Sequence, residues 1–246
     1  MLNVTARQEL MRTIVETLGV VVEEARLDFG EDGLSVRVVD PSHVAMIKMD
    51  VDSAAFDTWD VDETNLGLEM RKLKEILTQG QVTDAVDLSH DEVTGQVSIK
   101  IGRIDLNMRP LDNTTLNPPN VPELDLPCGV TISGAELAQA IRASKLVGDL
   151  VNMSLTESQF SVNVKGPNSE VNADFSKDEL LAIDCSTPVR SQYSLTYLIP
   201  LAKIFQGIEN VNLRFGENFP LKVTFDFAEG AGHVEYFLAP RVEGEI

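Results

Sequence analysis

The stretch LDNTTLNPPNVPELDLP, Leu111 to Pro127, holds four of the chain's eleven prolines and no sustained period of 2 or 3.6 residues. Pro118-Pro119 followed by Pro122 bars both a helix and a central strand, because proline lacks the N–H that either would use. The stretch reads as an extended strap. It leaves 110 residues before it and 119 after it, each close to one ordinary domain in length. The expected division is therefore residues 1–110, a strap over 111–127, and residues 128–246.

The two flanks repeat one plan. The first opens with a short strand at Leu2 to Val4, then Thr5-Ala6-Arg7-Gln8, which has the spacing of a helix capping box. Leu10, Ile14 and Leu18 then mark one buried stripe of a helix that Gly19 ends. Val20 to Phe29 and the alternating Leu34 to Val38, joined across Gly30 to Gly33, predict a hairpin. Asp40-Pro41-Ser42 breaks the pattern before Val44 to Val51. A second helix is expected over Glu69 to Gln79, with strands at Ala85 to Ser89, Gln96 to Ile101 and Ile104 to Met108.

In the second flank Ser133-Gly134-Ala135-Glu136 is again spaced as a capping box, and Leu137 and Ile141 answer Leu10 and Ile14. Phe160 to Val164 repeats the pattern of Leu34 to Val38, and Tyr197 to Phe205 falls where the second helix would recur. Val211-Asn212-Leu213 echoes Val86-Asp87-Leu88, and Leu238-Ala239-Pro240 answers Met108-Arg109-Pro110. Pro200 fits the fourth helix if that helix begins near Ile199, which puts the proline in the first turn. Two copies of strand, helix, strands, helix, strands give an α+β fold, with a helical layer on one face of antiparallel sheets.

Composition narrows the function classes. Apolar residues make up 43% of the chain, but no run reaches the roughly 18 to 20 that a membrane helix needs, and no secretory signal opens the sequence. An intracellular protein is expected. Cys128 and Cys185 stand far apart in sequence and outside any CxxC or Cys/His cluster, so free thiols are expected. The three histidines, His43, His90 and His233, are scattered, and no nucleophile elbow, phosphate loop or HExxH is present. Gly230 to His233 reads as a hairpin turn. The sequence thus offers no catalytic residues, no metal ligands and no cofactor site.

Net charge is −19, which ordinarily argues against a nucleic-acid partner. Its distribution argues otherwise. The four predicted helices, Ala6–Leu18, Glu69–Gln79, Gly134–Val147 and Thr196–Gln206, carry eight basic residues against five acidic ones. The basic residues are Arg7, Arg12, Arg71, Lys72, Lys74, Arg142, Lys145 and Lys203. Surface helices favour Lys and Arg in any case; a helical face turned to a polyanion gives the same count.

Apolar residues at Met46, Leu116, Phe219-Pro220, Phe237 to Pro240 and Val242 fit no periodic core. Should strap, chain break and C-terminus meet, these residues border a cleft suited to a short peptide.

Asp40-Pro41-Ser42-His43-Val44 after an alternating strand, the proline-broken connector after Leu111-Asp112, and the terminal Phe237 to Glu243 together resemble the archaeal and eukaryotic sliding clamp, the proliferating cell nuclear antigen (PCNA) family. The resemblance covers the whole chain, and it implies two similar clamp domains and a closed ring of three chains, with helices lining a channel around duplex DNA. Arg12, Arg142 and Lys203 stand where the family presents basic residues to DNA; Arg71, Lys72, Lys74 and Lys145 are this chain's own cations on the same helices. The family also implies that a cleft under the connector takes the PCNA-interacting peptide of DNA polymerase, flap endonuclease, DNA ligase and the clamp loader. Here the cleft would use Val39, His43, Met46, Leu116, Pro220, Phe237, Ala239, Pro240 and Val242. Edge strands would join the subunits, with Asp105, Leu106, Asn107 and Met108 on one chain against Ser161, Val162, Asn163 and Val164 on the next. By resemblance the protein works on replicating DNA in the cytoplasm and has no catalytic activity of its own. The other readings are a two-domain enzyme or small-ligand binder, and a clamp subunit that assembles only with different chains.

Overall fold

Alternating burial along short segments builds most of this chain as strands, and one order of elements occurs twice. The computed structural model describes residues 1–242; Glu243 of the terminal motif lies outside the described residues. The first copy runs β1 (Leu2–Arg7), α1 (Gln8–Leu18), β2 (Glu24–Phe29), β3 (Gly33–Val39), β4 (Ala45–Asp52), β5 (Thr58–Val61), β6 (Thr64–Glu69), α2 (Met70–Leu77), β7 (Ala85–Asp91), β8 (Gln96–Ile101) and β9 (Ile104–Met108). The second runs β10 (Cys128–Ser133), α3 (Gly134–Ser144), β11 (Leu150–Leu155), β12 (Gln159–Lys165), β13 (Glu170–Ser176), β14 (Ala182–Asp184), β15 (Val189–Ser194), α4 (Leu195–Phe205), β16 (Asn210–Phe215), β17 (Leu221–Phe227) and β18 (Gly232–Leu238).

The chain forms two compact units. One holds Met1–Pro41, Ile47–Val121 and Phe227–His233; the other holds Ser42–Met46, Pro122–Asp226 and the residues from Val234 onward. In the first unit an antiparallel sheet has the order β5-β1-β7-β8-β9, and β6-β2-β3-β4 form a second run. The second unit repeats this as β14-β10-β16-β17-β18 and β15-β11-β12-β13. The register repeats too: Val4 faces Leu88 and Ala6 faces Val86, while Val130 faces Leu213 and Ile132 faces Val211. All eight side chains are buried.

Each helix packs its apolar stripe on the sheets of its own unit. Leu10, Met11, Ile14, Val15 and Leu18 of α1, with Met70, Leu73 and Leu77 of α2, are buried. In α3 the buried stripe is Leu137, Ala138 and Ile141, and in α4 it is Leu195, Leu198, Leu201, Ala202 and Phe205. Burying each of the larger side chains contributes about 1.5 to 3 kcal/mol. The cations are left on the outer side.

The helix starts differ from the sequence expectation. Neither Thr5 nor Ser133 forms a capping box. Thr5 belongs to β1, where its hydroxyl donates to Asp87 Oδ1 at 2.8 Å, and the N-caps of α1 and α3 are Arg7 and Ser133, without side-chain cap bonds. The first helical N–H is instead satisfied by main chain. Gln8 N donates to Asp84 O (2.8 Å), Met70 N to Glu23 O (2.8 Å), Gly134 N to Glu209 O (3.2 Å) and Leu195 N to Asp149 O (2.8 Å). Every acceptor is the residue just before a strand of the same unit, so neighbouring main chain rather than a hydroxyl seats the first helical N–H. The family of spacings read as caps was real; the chemistry was not.

Four further differences have local causes. Pro200 lies in the second turn of α4, not the first, because the helix begins at Leu195; the Thr196 carbonyl it releases belongs to an exposed residue, open to water. Val20 to Val22 are a turn after α1, with Val21 N and Val22 N donating to Leu18 O at 3.1 and 3.2 Å, and β2 starts only at Glu24. The strap opens with a short 3-10 turn at Asn113–Thr115, capped by Asp112, whose carboxylate accepts from Thr114 N at 2.9 Å. Finally, Ser161 to Val164 are not on an edge. They lie in β12, which pairs with β11 on one side and β13 on the other, so their backbone groups are already used. The open edge of that sheet is β13.

Candidate nucleic-acid and peptide interfaces

In the first unit Arg12, Arg71, Lys72 and Lys74 are exposed on α1 and α2. Arg12 Nε bonds Glu16 Oε1 at 3.1 Å, and Lys74 Nζ reaches the same oxygen at 3.2 Å. Burial pulls the Glu16 pKa upward, but the hydrogen bonds from Arg12 and Lys74 more than offset it and hold the carboxyl below its usual range. Lys72 pairs with Glu69 at 3.1 Å. Arg71 has no ion pair among the described residues. In the second unit Lys145 pairs with Asp149, whereas Arg142 on α3 and Lys203 on α4 are exposed and have no ion pair among the described residues.

The strap is pinned at its start within the first unit. Leu111 N donates to Gly67 O at 2.8 Å, and Asn113 Nδ2 donates to Asn65 Oδ1 at 2.7 Å. Leu116 is half-buried, and its Cδ1 lies so near Gly67 that a β-carbon there would come within 2.9 Å. Val39 is half-buried at the end of β3.

Within the second unit, chain break and C-terminal residues do meet. Ala239 N donates to Val44 O at 2.9 Å, and Arg241 N donates to Gln192 O at 2.7 Å. Beside Gln192, Tyr193 OH and Ser191 Oγ both donate to Phe219 O, at 2.8 and 3.3 Å, which fixes the turn carrying Phe219 and Pro220. His43 is exposed with a φ of +56°, and Met46, Pro220, Ala239 and Pro240 are half-buried. Val242 is exposed. Phe237 is only 5% exposed and sits under Lys222, whose Nζ is 5.5 Å from the ring centroid, so it backs this surface rather than presenting itself. Phe219, named with Pro220 from the sequence as a possible cleft residue, is half exposed at 50%; the Tyr193 hydroxyl that holds its turn was not assigned to any site.

At the other candidate surface, β9 closes its sheet with one side paired to β8. Asp105 and Asn107 are exposed there, and Leu106 and Met108 are half-buried. Asp105 accepts from Ser98 Oγ at 2.8 Å. β13 likewise has its one partner in β12.

The two thiols, distant in sequence, are neighbours: Cys128 Sγ and Cys185 Sγ both donate to Thr187 O, at 3.4 and 3.1 Å. Burial is the main cause that pushes Cys185 up to about 12, which leaves it protonated and unreactive. Among the described residues no three His, Cys, Asp or Glu side chains form a group able to hold a metal ion, and no helix is long and apolar enough to cross a membrane.

Comparison with known proteins agrees with this geometry. The family model for the PCNA N-terminal domain matches residues 1–107, and that for the C-terminal domain matches residues 120–241. The chain is 31% identical over 246 residues to the DNA polymerase sliding clamp of Methanosarcina barkeri, covering 100% of both, and 33% identical over 248 residues to that of Methanoregula boonei, again covering 100% of both. Among solved structures, the PCNA of A. fulgidus with the C-terminal region of FEN-1 bound is similar at a TM-score of 0.92 and 28% identity, covering 100% of both chains. The PCNA of Thermococcus kodakaraensis shares the fold at a TM-score of 0.89 and 21% identity, over 98% of this chain and 100% of that one. With a twice-built unit, cations on the outer faces of its helices and matches along its whole length, the chain belongs to the proliferating cell nuclear antigen family of DNA polymerase sliding clamps.

Proposed function

We propose that three copies of this chain close into a ring around duplex DNA and tether replication and repair enzymes to it, without catalysis by the ring itself. The observation that carries this is the contrast of charge: over the four helices taken together six basic residues stand against four acidic ones, in a chain of net charge −19. A ring retains DNA by topology, so weak, sequence-independent phosphate contacts suffice, and strong ones would stop it moving. Arg12, Arg71, Lys72, Lys74, Arg142, Lys145 and Lys203 are the proposed contacts. The domains are read as 1–110 and 128–246, joined by the strap, and the place of action as the cytoplasm.

The subunit contact is read as β9 of one copy against β13 of the next, since each is an edge strand with unpaired backbone groups. β13 takes the place first assigned to Ser161–Val164. Light scattering on the purified chain is expected to give a mass near three times 27.0 kDa. Leu106→Glu combined with Val171→Glu, which puts a charge on each edge, is expected to bring it to that of one chain. A parental mass near one chain overturns the self-assembled ring and favours a subunit that needs different partners.

The cleft is assigned to Val39, His43, Met46, Leu116, Pro220, Ala239, Pro240 and Val242, with Phe219 added and Phe237 behind them. Its ligand is a short peptide with aliphatic and aromatic anchors, like the FEN-1 C-terminal region in the A. fulgidus complex. Leu116→Ala with Pro240→Ala is expected to weaken such a peptide at least tenfold in a calorimetric titration, without loss of the folded ring. Unchanged affinity removes the site.

A further inference from the structure

The cations on α1 and α2 are not all equally available. Glu16 Oε1 holds Arg12 Nε at 3.1 Å along its own helix and Lys74 Nζ at 3.2 Å from the neighbouring one. The Glu16 side chain is 22% exposed, against 46% for Arg12 and 54% for Lys74. The carboxylate is therefore the sheltered member, and the two cations sit over it. Among the described residues nothing equivalent occurs in the second unit. When the helices are aligned on Leu10 and Leu137, Ala143 stands where Glu16 does, and Arg142 and Lys203 have no carboxylate at ion-pair distance among the described residues. Among the described residues the first unit pairs Arg12, Lys72 and Lys74 and leaves Arg71 bare, while the second pairs Lys145 and leaves Arg142 and Lys203 bare.

We propose that Glu16 is a charge-compensating residue that competes with DNA phosphate for Arg12 and Lys74, and so sets how firmly the first unit's helices hold the duplex. The proposal rests on the reading that these helices face DNA. Exposed ion pairs are worth little to stability, at most about 1 kcal/mol, so two surface pairs on one oxygen need not be there to hold the fold. Their effect on a polyanion is larger. A phosphate approaching Arg12 or Lys74 meets a cation whose field is already partly cancelled, and each phosphate neutralised by a free cation adds roughly 0.9 to the salt slope of binding to B-DNA. Glu16 remains ionised across the neutral range because its two partners outweigh its burial, so the compensation is constant there rather than switched by pH.

The test is the salt dependence of affinity for a linear duplex, read by fluorescence anisotropy on the full chain. Glu16→Gln keeps shape and a hydrogen-bond acceptor but loses the charge. It is expected to tighten binding about tenfold at low salt and to steepen the slope of log K against log[salt] by about 1 to 2. Glu16→Asp, which keeps the charge, is expected to leave the slope near the parental value. Adding Arg12→Gln and Lys74→Gln to Glu16→Gln is expected to abolish the gain. A purely structural role would lower the melting temperature of Glu16→Gln and leave the slope alone, and that result overturns the proposal. Arg142→Glu with Lys203→Glu separates the two levels of the argument. If this pair flattens the slope while Glu16→Gln does nothing, the compensating role is wrong and the DNA face stands. If neither variant moves the slope, the helices do not face DNA at all.

Discussion

Gly134→Ala is expected to destabilise the protein by about 3 kcal/mol, the upper end of what overpacking usually costs. Gly134 is the first residue of α3, where its N–H reaches Glu209 O at 3.2 Å. A β-carbon there would lie 2.4 Å from Phe205 O and 2.3 Å from Ile208 O. Both obstacles are main-chain atoms, one on the last residue of α4 and one in the turn that follows it, so no rotamer change relieves them. Either α3 moves off α4 or the last turn of α4 opens, and each breaks the main-chain bond that starts α3. For a chain of this length a loss of that size lowers the melting temperature by roughly 6 to 12 °C. Calorimetry on the variant checks it; a melting point within about 2 °C of the parent would mean that the approach of α3 to α4 is looser than described.

Changing Arg12, Arg142 and Lys203 together to Glu is expected to cut clamp-dependent polymerase stimulation at least tenfold at moderate salt, with the mass in light scattering unchanged. Three cations per chain become anions. A contact that worked through counterion release then turns into repulsion. The assembly is spared because none of the three lies on β9 or β13. Stimulation that survives the triple change would take the DNA face away from these helices. The three positions should not contribute equally. Arg142 and Lys203 have no ion pair among the described residues, whereas Arg12 is shared with Glu16, so Arg12→Glu alone is expected to be the mildest single change.

Much of the architecture was readable from hydrophobic spacing. β8 and β9 match the expected bounds, and α1 and α4 come within two residues of theirs at each end, because their buried residues are regularly spaced and large. The duplication was readable for the same reason: Leu34 to Val38 and Phe160 to Val164 fill the same layer twice. What escaped notice was short or main-chain in origin. β5 and β14 are edge strands of four and three residues, too short to establish a period. The starts of α1 and α3 were assigned to hydroxyl caps because a sequence displays side chains, whereas their first helical N–H groups go to the carbonyls of Asp84 and Glu209, which any residue supplies. The edge position of β13 was missed since Val162 and Val164, buried at 0% and 3%, have the stronger strand signal; a well-buried strand is the one most apt to be central. Residues of the peptide cleft could be listed from a family pattern, but the grip of Tyr193 and Ser191 on the Phe219 carbonyl depends on two segments 26 and 28 residues apart, and spacing alone does not encode it.

Anchoring each helix by a peptide carbonyl has an evolutionary consequence. The atoms that seat these helices are common to all residues, so their outward faces are released to vary. A substitution that adds or removes charge there leaves the atoms that seat the helix untouched, so the charge of the helical faces can change without rebuilding the frame.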